Sequence, residues 1–158
     1  MTAVRAVFDC NVLLQAAFRR SSFAAECLRM VDAGQVELYA SAETLDEIQE
    51  VISRPDIQDT FRTLLEVVAE AFLLRLRRVS RVVSDVPPVF TYPRDPTDEP
   101  YLNLALAVKA NYIVSQDKDL LQLMTDHTIE AKEFRQRLRN VKIVTPMQFV
   151  KSVRDLSS

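Results

Sequence analysis

The sequence predicts an α/β fold, a single-domain three-layer sandwich whose parallel, Rossmann-like sheet of about five strands is flanked by helices. Three observations predict it. Short β-prone runs alternate with helical patterns, the order that a parallel sheet with right-handed crossovers requires. The 158 residues suit one domain with one core. No internal repeat or low-complexity tract interrupts the alternation.

The elements follow in order. Val4–Phe8 is a strand that stops at Asp9. Val12–Phe18 reads as helix, broken near Arg19-Arg20-Ser21-Ser22. Phe23–Ala33 is a second helix, with Cys27, Leu28 and Val31 on one face and Gly34 as its stop. Val36–Ala40 is a strand, and Ser41 is suited to cap the helix that runs to Arg54-Pro55. Asp56–Ser80 carries one long amphipathic pattern through Phe61, Leu64, Leu65, Val68, Phe72 and Leu76. Arg81–Val83 is a third strand, and the proline-rich stretch Ser84–Thr97 is a loop. Tyr101–Ala110 reads as helix, Tyr112–Val114 as strand and Lys118–Met124 as a short helix. Ile129–Arg139 is a charged helix, Val141–Val144 a strand, and Met147–Val153 a closing helix.

Composition excludes several function classes. At 48% hydrophobic and 27% charged, the chain is ordinary globular protein. Gly34 is the single glycine, which rules out glycine-rich phosphate loops. His127 is the single histidine, which rules out a histidine-rich zinc site, and its polar turn Thr125-Asp126-His127-Thr128 reads as surface. Cys10 and Cys27 have neither metal-ligand spacing nor a disulfide framework, so a reduced, cytoplasmic setting is expected. Met1–Asp9 lacks a signal peptide's apolar region, and Leu64–Leu76, broken by Glu66, Glu70 and Arg75, is too short to span a bilayer; no membrane partner is expected. With a net charge of −2, nucleic acid would have to be held by local patches or metal ions.

On parallel sheets, ligands collect at the carboxyl ends of the strands, near the point where strand order reverses. Asp9 follows the first strand directly, and Ser115 and Asp117 follow the Tyr112–Val114 strand. Asp98, in Arg94-Asp95-Pro96-Thr97-Asp98-Glu99-Pro100, enters the helix before that strand. On the Ser41–Arg54 helix, Leu45, Ile48, Val51 and Ile52 define the buried face. Glu43, Asp46 and Glu50 lie roughly 150–170° from its centre, but Glu47 lies only about 110° away, on its shoulder. Several carboxylates in one crevice repel one another, and a hard divalent cation such as Mg²⁺ or Mn²⁺ removes that penalty. Each acid also has a purely structural reading: Asp98 and Asp117 as helix caps, Asp9 as an Asx-turn residue, Glu47 as a solvated helix position. Convergence on one edge favours a metal site, which would activate water and stabilise charge on a phosphoryl group.

At these residues the sequence resembles the PIN-domain family, and within it the branch of toxin components of toxin–antitoxin systems. The resemblance runs through Ala6-Val7-Phe8-Asp9-Cys10-Asn11-Val12-Leu13, Leu38–Ile48, Arg94–Ala107, Ala110–Leu121 and Ile143–Phe149, in family order. It implies a Mg²⁺- or Mn²⁺-dependent ribonuclease that hydrolyses single-stranded RNA. Its four acidic positions fall on Asp9, Glu47, Asp98 and Asp117, with metal held by Asp9, Asp98 and Asp117. Asn11 and Ser115 match polar residues that support the first and fourth acids. Cys10 stands where the family usually has Thr, and Gln116 where this branch often has Gly. The Asp126–Arg139 segment looks longer than the family's usual connection. A cognate antitoxin and a homodimer are the implied partners.

Rival readings fit less well. A haloacid-type phosphatase needs a second Asp where Asn11 stands, and a response-regulator receiver needs paired acids after the first strand. A catalytically inert PIN-like module that only docks a protein or RNA is the alternative to an enzyme. Arg19, Arg20, Arg94 and Lys118 are candidates for flanking phosphates, and equally for solvated surface. The runs Arg75–Arg78 and Arg135–Arg139 fit wet helix faces. Apolar excess at Phe61–Leu65 and Ala71–Leu74 suggests a partner surface.

Overall fold

The computed structural model describes residues 3–60 and 66–156. Its β-prone runs form β1 (Val4–Phe8), β2 (Val36–Ser41), β3 (Arg81–Val83), β4 (Tyr112–Val114) and β5 (Lys142–Val144). They pair in parallel as one sheet in the order β3-β2-β1-β4-β5. The central strands are apolar on both faces, as a covered parallel sheet demands: Ala6, Val7, Phe8, Ile113 and Val114 are all buried. At the edge, β3 is largely exposed.

The helices are α1 (Cys10–Phe18), α2 (Phe23–Asp32), α3 (Ala42–Ile52), α4 (Pro55–Thr60), α5 (Glu66–Val79), α6 (Glu99–Val108), α7 (Lys118–Gln122), α8 (Ile129–Arg137) and α9 (Pro146–Leu156). A 3₁₀ turn, Pro96–Asp98, leads into α6. α2 packs on α1 and α9, and α3 on α5 and α6, which completes a three-layer α/β sandwich around the sheet. Phe149 of α9 anchors one layer, meeting Phe8 and Tyr112 edge-on at 5.7 and 5.4 Å between ring centroids. Among the described residues no helix is long and apolar enough to cross a membrane.

Local chemistry explains the boundaries. Ser41 caps α3 in a reciprocal capping box with Thr44. Gly34, with φ +78°, ends the α2 turn in the left-handed region where a Cβ is disfavoured. Helix α1 begins at Cys10, two residues before the expected start, because the Asp9 side chain accepts from Val12 N at 2.9 Å and caps it. The amphipathic pattern expected over 56–80 falls on α4 and α5 in the described residues, with Pro55 opening α4. Phe61, Leu64 and Leu65 of the expected stripe lie outside the described residues; Phe72 and Leu76 continue it as buried positions, whereas Val68 is 42% exposed.

The long 126–139 segment has a packing role. It forms α8, whose Ala131 and Phe134 are fully buried, and Phe134 meets Phe90 of the proline-rich loop edge-on at 6.2 Å. That loop is further pinned to α6. Asn103 exchanges hydrogen bonds with the Phe90 N–H and carbonyl at 2.6 and 3.2 Å, and Glu99 accepts from Tyr92 N at 2.8 Å. The Tyr92 hydroxyl donates to the Asp119 carbonyl at 2.8 Å. The stretch from Ser84 to Asp95, without regular structure, is thereby fixed where it delivers Asp95 and Asp98.

Candidate active site

Strand order reverses between β1 and β4, and the register pairs Phe8 with Val114. Asp9 and Ser115 therefore leave the sheet side by side, with Asp9 N donating to the Val114 carbonyl at 3.1 Å. The Ser115 side chain is fully buried and joins two acids. Its hydroxyl donates to Asp9 Oδ2 and accepts from Asp117 N, the latter at 2.9 Å. Asp117 caps α7, accepting from Asp119 N at 2.9 Å.

A cleft of about 760 Å³ opens at this edge. Asp9, Glu47, Asp98 and Asp117, the four acids singled out from the sequence, all line it, as do Asn11 and Cys10. Asn11 contributes to the wall and is exposed, while the hydrogen bonds on Asp9 and Asp117 come from Val12, Ser115 and Asp119. Glu43, Asp46 and Glu50 also reach the cleft from α3, although the helical wheel directs them away from its buried face. The crevice meets the flank of that helix, so its outward acids form a rim.

The electrostatics are those of an uncompensated acidic cluster. Burial pushes the Asp9 carboxyl up to about 6, against the pull of its bonds from Ser115 and Val12, with Asp117 and Glu47 adding repulsion. Asp98 is 6% exposed and is pushed up to about 8, first by burial and then by Asp117, Asp95 and Asp9. It occupies the cap position of α6 but makes no capping bond, and its Oδ2 is buried without a hydrogen-bond partner. Capping does not account for Asp98. Burial also raises the half-buried Glu47 carboxyl, while Tyr101 and Cys10 nearby oppose the rise. The Cys10 thiol is pushed up to about 12 by burial, so it stays protonated.

Sequence reasoning missed several neighbours. Asp95, Asp117 and Asp119 bring carboxylate oxygens within 4.8 Å of one another, so Asp117 belongs to a second acidic group beside the cleft. Asp95 and Asp119 stand within three residues of predicted acids, and that proximity was the available signal. Tyr101 and Arg54 line the cleft as well; Tyr101 read only as the start of a helix and Arg54 as the end of one. Of the cations proposed for phosphates, Arg94 is engaged with Asp119 at 2.9 Å and Asp126 at 3.3 Å. The basic runs lie on wet helix faces, as expected, with Arg77, Arg78, Arg137 and Arg139 exposed: Arg75 pairs with Asp32, Arg135 donates to the Leu123 and Asp126 carbonyls, and Arg137 pairs with Glu133. His127 is exposed, as expected, between α7 and α8.

A family model described as the PIN domain matches residues 5–119. The chain belongs to the PIN-domain family. Its fold is similar to the crystal structure of PAE2754 from Pyrobaculum aerophilum, with a TM-score of 0.58 at 13% identity, covering 98% of this chain and 94% of that one. A comparison with curated proteins gave no match. PIN domains are generally nucleases and usually use divalent metals. The residues of this PIN domain suit such an ion. The four acids are hard oxygen donors, and Asp98, which lines the cleft they share, has a buried carboxylate oxygen, Oδ2, without a hydrogen-bond partner.

Proposed function

We propose that the protein is a Mg²⁺- or Mn²⁺-dependent endoribonuclease that hydrolyses phosphodiester bonds in single-stranded RNA, as the toxin component of a type II toxin–antitoxin pair in the cytoplasm. The observation that carries the enzymatic part is Asp98: a buried carboxylate with an unpartnered oxygen, crowded by Asp9 and Asp117, is costly unless a cation joins it. Asp9, Asp98 and Asp117 would hold the ion. Bound there, it would supply Lewis-acid stabilisation of phosphoryl charge and a more acidic water.

The remaining work falls to the chain itself. Ser115 fixes Asp9 and Asp117 relative to each other through one hydroxyl. Glu47, half-buried on the opposite element α3 with its affinity for a proton raised, is suited to orient the attacking water and take its proton at a carboxylate oxygen. Arg54, in the cleft wall and bonded to Glu50 at 3.1 Å, is placed to meet a flanking phosphate.

For partners, the reading includes a homodimer and an antitoxin segment, supported by apolar side chains left in solvent on α5. Val67 is 74% and Leu74 70% exposed, and Val82 on edge strand β3 is 51% exposed. The Phe61–Leu65 part of the expected patch lies outside the described residues.

The test is direct. Purified protein should cleave single-stranded RNA with Mg²⁺ or Mn²⁺ and stop on addition of EDTA. Cleavage without metal overturns the metal-dependent reading, and absence of both cleavage and metal binding leaves the inert docking module. A strictly monomeric mass at high concentration counts against the homodimer.

A further inference from the structure

Tyr101 is 2% exposed and lies in the first turn of α6, the helix that Asp98 leads into as its cap residue. Both reach the cleft, across which α3 presents Glu47. The Tyr101 hydroxyl is buried and completes no hydrogen bond, yet it and the Glu47 carboxyl are close enough in the cleft wall to perturb each other. Such a placement has a cost that Phe would avoid, since Phe fills the same space without a polar atom to satisfy. The ring alone therefore does not explain the residue. The other group approaching Glu47 is the Cys10 thiol, a weak donor.

We propose that Tyr101 is the positioning residue of Glu47: its phenol O–H donates to the Glu47 carboxylate and holds it facing the cleft from the α6 side. The inference rests on the nuclease reading and adds to it the group that orients the general base. It also links two elements. The helix that carries Asp98 and the helix that carries Glu47 are tied through one side chain, so the ion-holding and water-orienting acids keep a fixed relation. Cys10 makes a second, weaker contact, and a hydroxyl on α6 supplies the directional one.

The experiment compares the parent with Tyr101→Phe, Cys10→Ala and Glu47→Ala. Tyr101→Phe should lower kcat about tenfold with KM, Mn²⁺ affinity and melting temperature close to the parent, as loss of one orienting bond predicts. Cys10→Ala should lower kcat less. A second readout does not depend on activity. The chain has four tyrosines, so the Raman difference between parent and Tyr101→Phe isolates the ring doublet of Tyr101. That doublet should report a donating phenol, and the same difference taken in a Glu47→Ala background should report a phenol that has lost its acceptor. An unchanged doublet in Glu47→Ala overturns the proposal, as does a kcat unaltered by Tyr101→Phe or one that falls further in Cys10→Ala. If the parent itself fails to cut RNA, the nuclease reading falls while the Raman comparison still decides the contact.

Discussion

Replacing Asp98 by Asn keeps the shape of the side chain and removes its charge, and the structure gives both sign and size to the consequence. In the metal-free fold the Asp98 carboxyl titrates at about 8, against 3.8 when free of its neighbours. Between those values the folded state holds a proton that the unfolded state has lost, so stability falls as pH rises from about 4 to about 8 and is level beyond. The gap spans about four pH steps at about 1.4 kcal/mol each, and water at the cleft mouth reduces that by about half, to roughly 2–3 kcal/mol. Asp98→Asn should match the parent near pH 4, where both side chains are neutral. At pH 9 it should exceed the metal-free parent by that amount, or about 5–10 °C in melting temperature. Mn²⁺ at a thousand times its Kd should reverse the order, since it adds about 4.1 kcal/mol to the form that binds it. Denaturant unfolding at fixed ionic strength from pH 4 to 9, with EDTA and with Mn²⁺, measures each quantity. A mutant with the parent's pH dependence, or one less stable at pH 9 without metal, would show that Asp98 has a structural partner and refute the reasoning.

Asp9→Asn and Asp117→Asn should abolish metal-dependent cleavage, while Glu70→Gln on the exposed face of α5 should not. Ser115→Ala should destabilise the fold by about 1–3 kcal/mol in denaturant unfolding, because buried Asp9 Oδ2 and the Asp117 N–H lose their shared partner, and it should raise the Asp9 pKa further above about 6. Mn²⁺ affinity measured by calorimetry should rise with pH through about 6 and again toward about 8, as Asp9 and Asp98 release the protons that compete with the ion. Gly34→Ala should cost about 1 kcal/mol in thermal unfolding, since φ +78° strains any L side chain although nothing lies within 4 Å of the added Cβ.

Much of this was legible in the sequence because its signals are local. The runs at Val4–Phe8, Val36–Ser41 and Tyr112–Val114 are apolar and bounded by polar residues, and the stops at Asp9 and Ser115 mark the edge where the cleft forms. The long-range features were not legible. Asp95 lies in the predicted loop, yet the bonds to Phe90 and Tyr92 hold that loop against α6 and bring Asp95 to Asp117. Tyr101 follows the apolar face of α6, so periodicity hides a hydroxyl whose importance depends on α3. The acids of α3 were assigned by angle to bulk solvent, but helical periodicity does not say what stands opposite a helix flank.

Cleavage of a defined single-stranded RNA by the purified chain, first in EDTA and then with Mn²⁺ restored, tests the central claim most directly. The account predicts no cleavage in EDTA, cleavage on restoring Mn²⁺, and none with Asp98→Asn under either condition. Cleavage that persists in EDTA, or that survives Asp98→Asn, would contradict it.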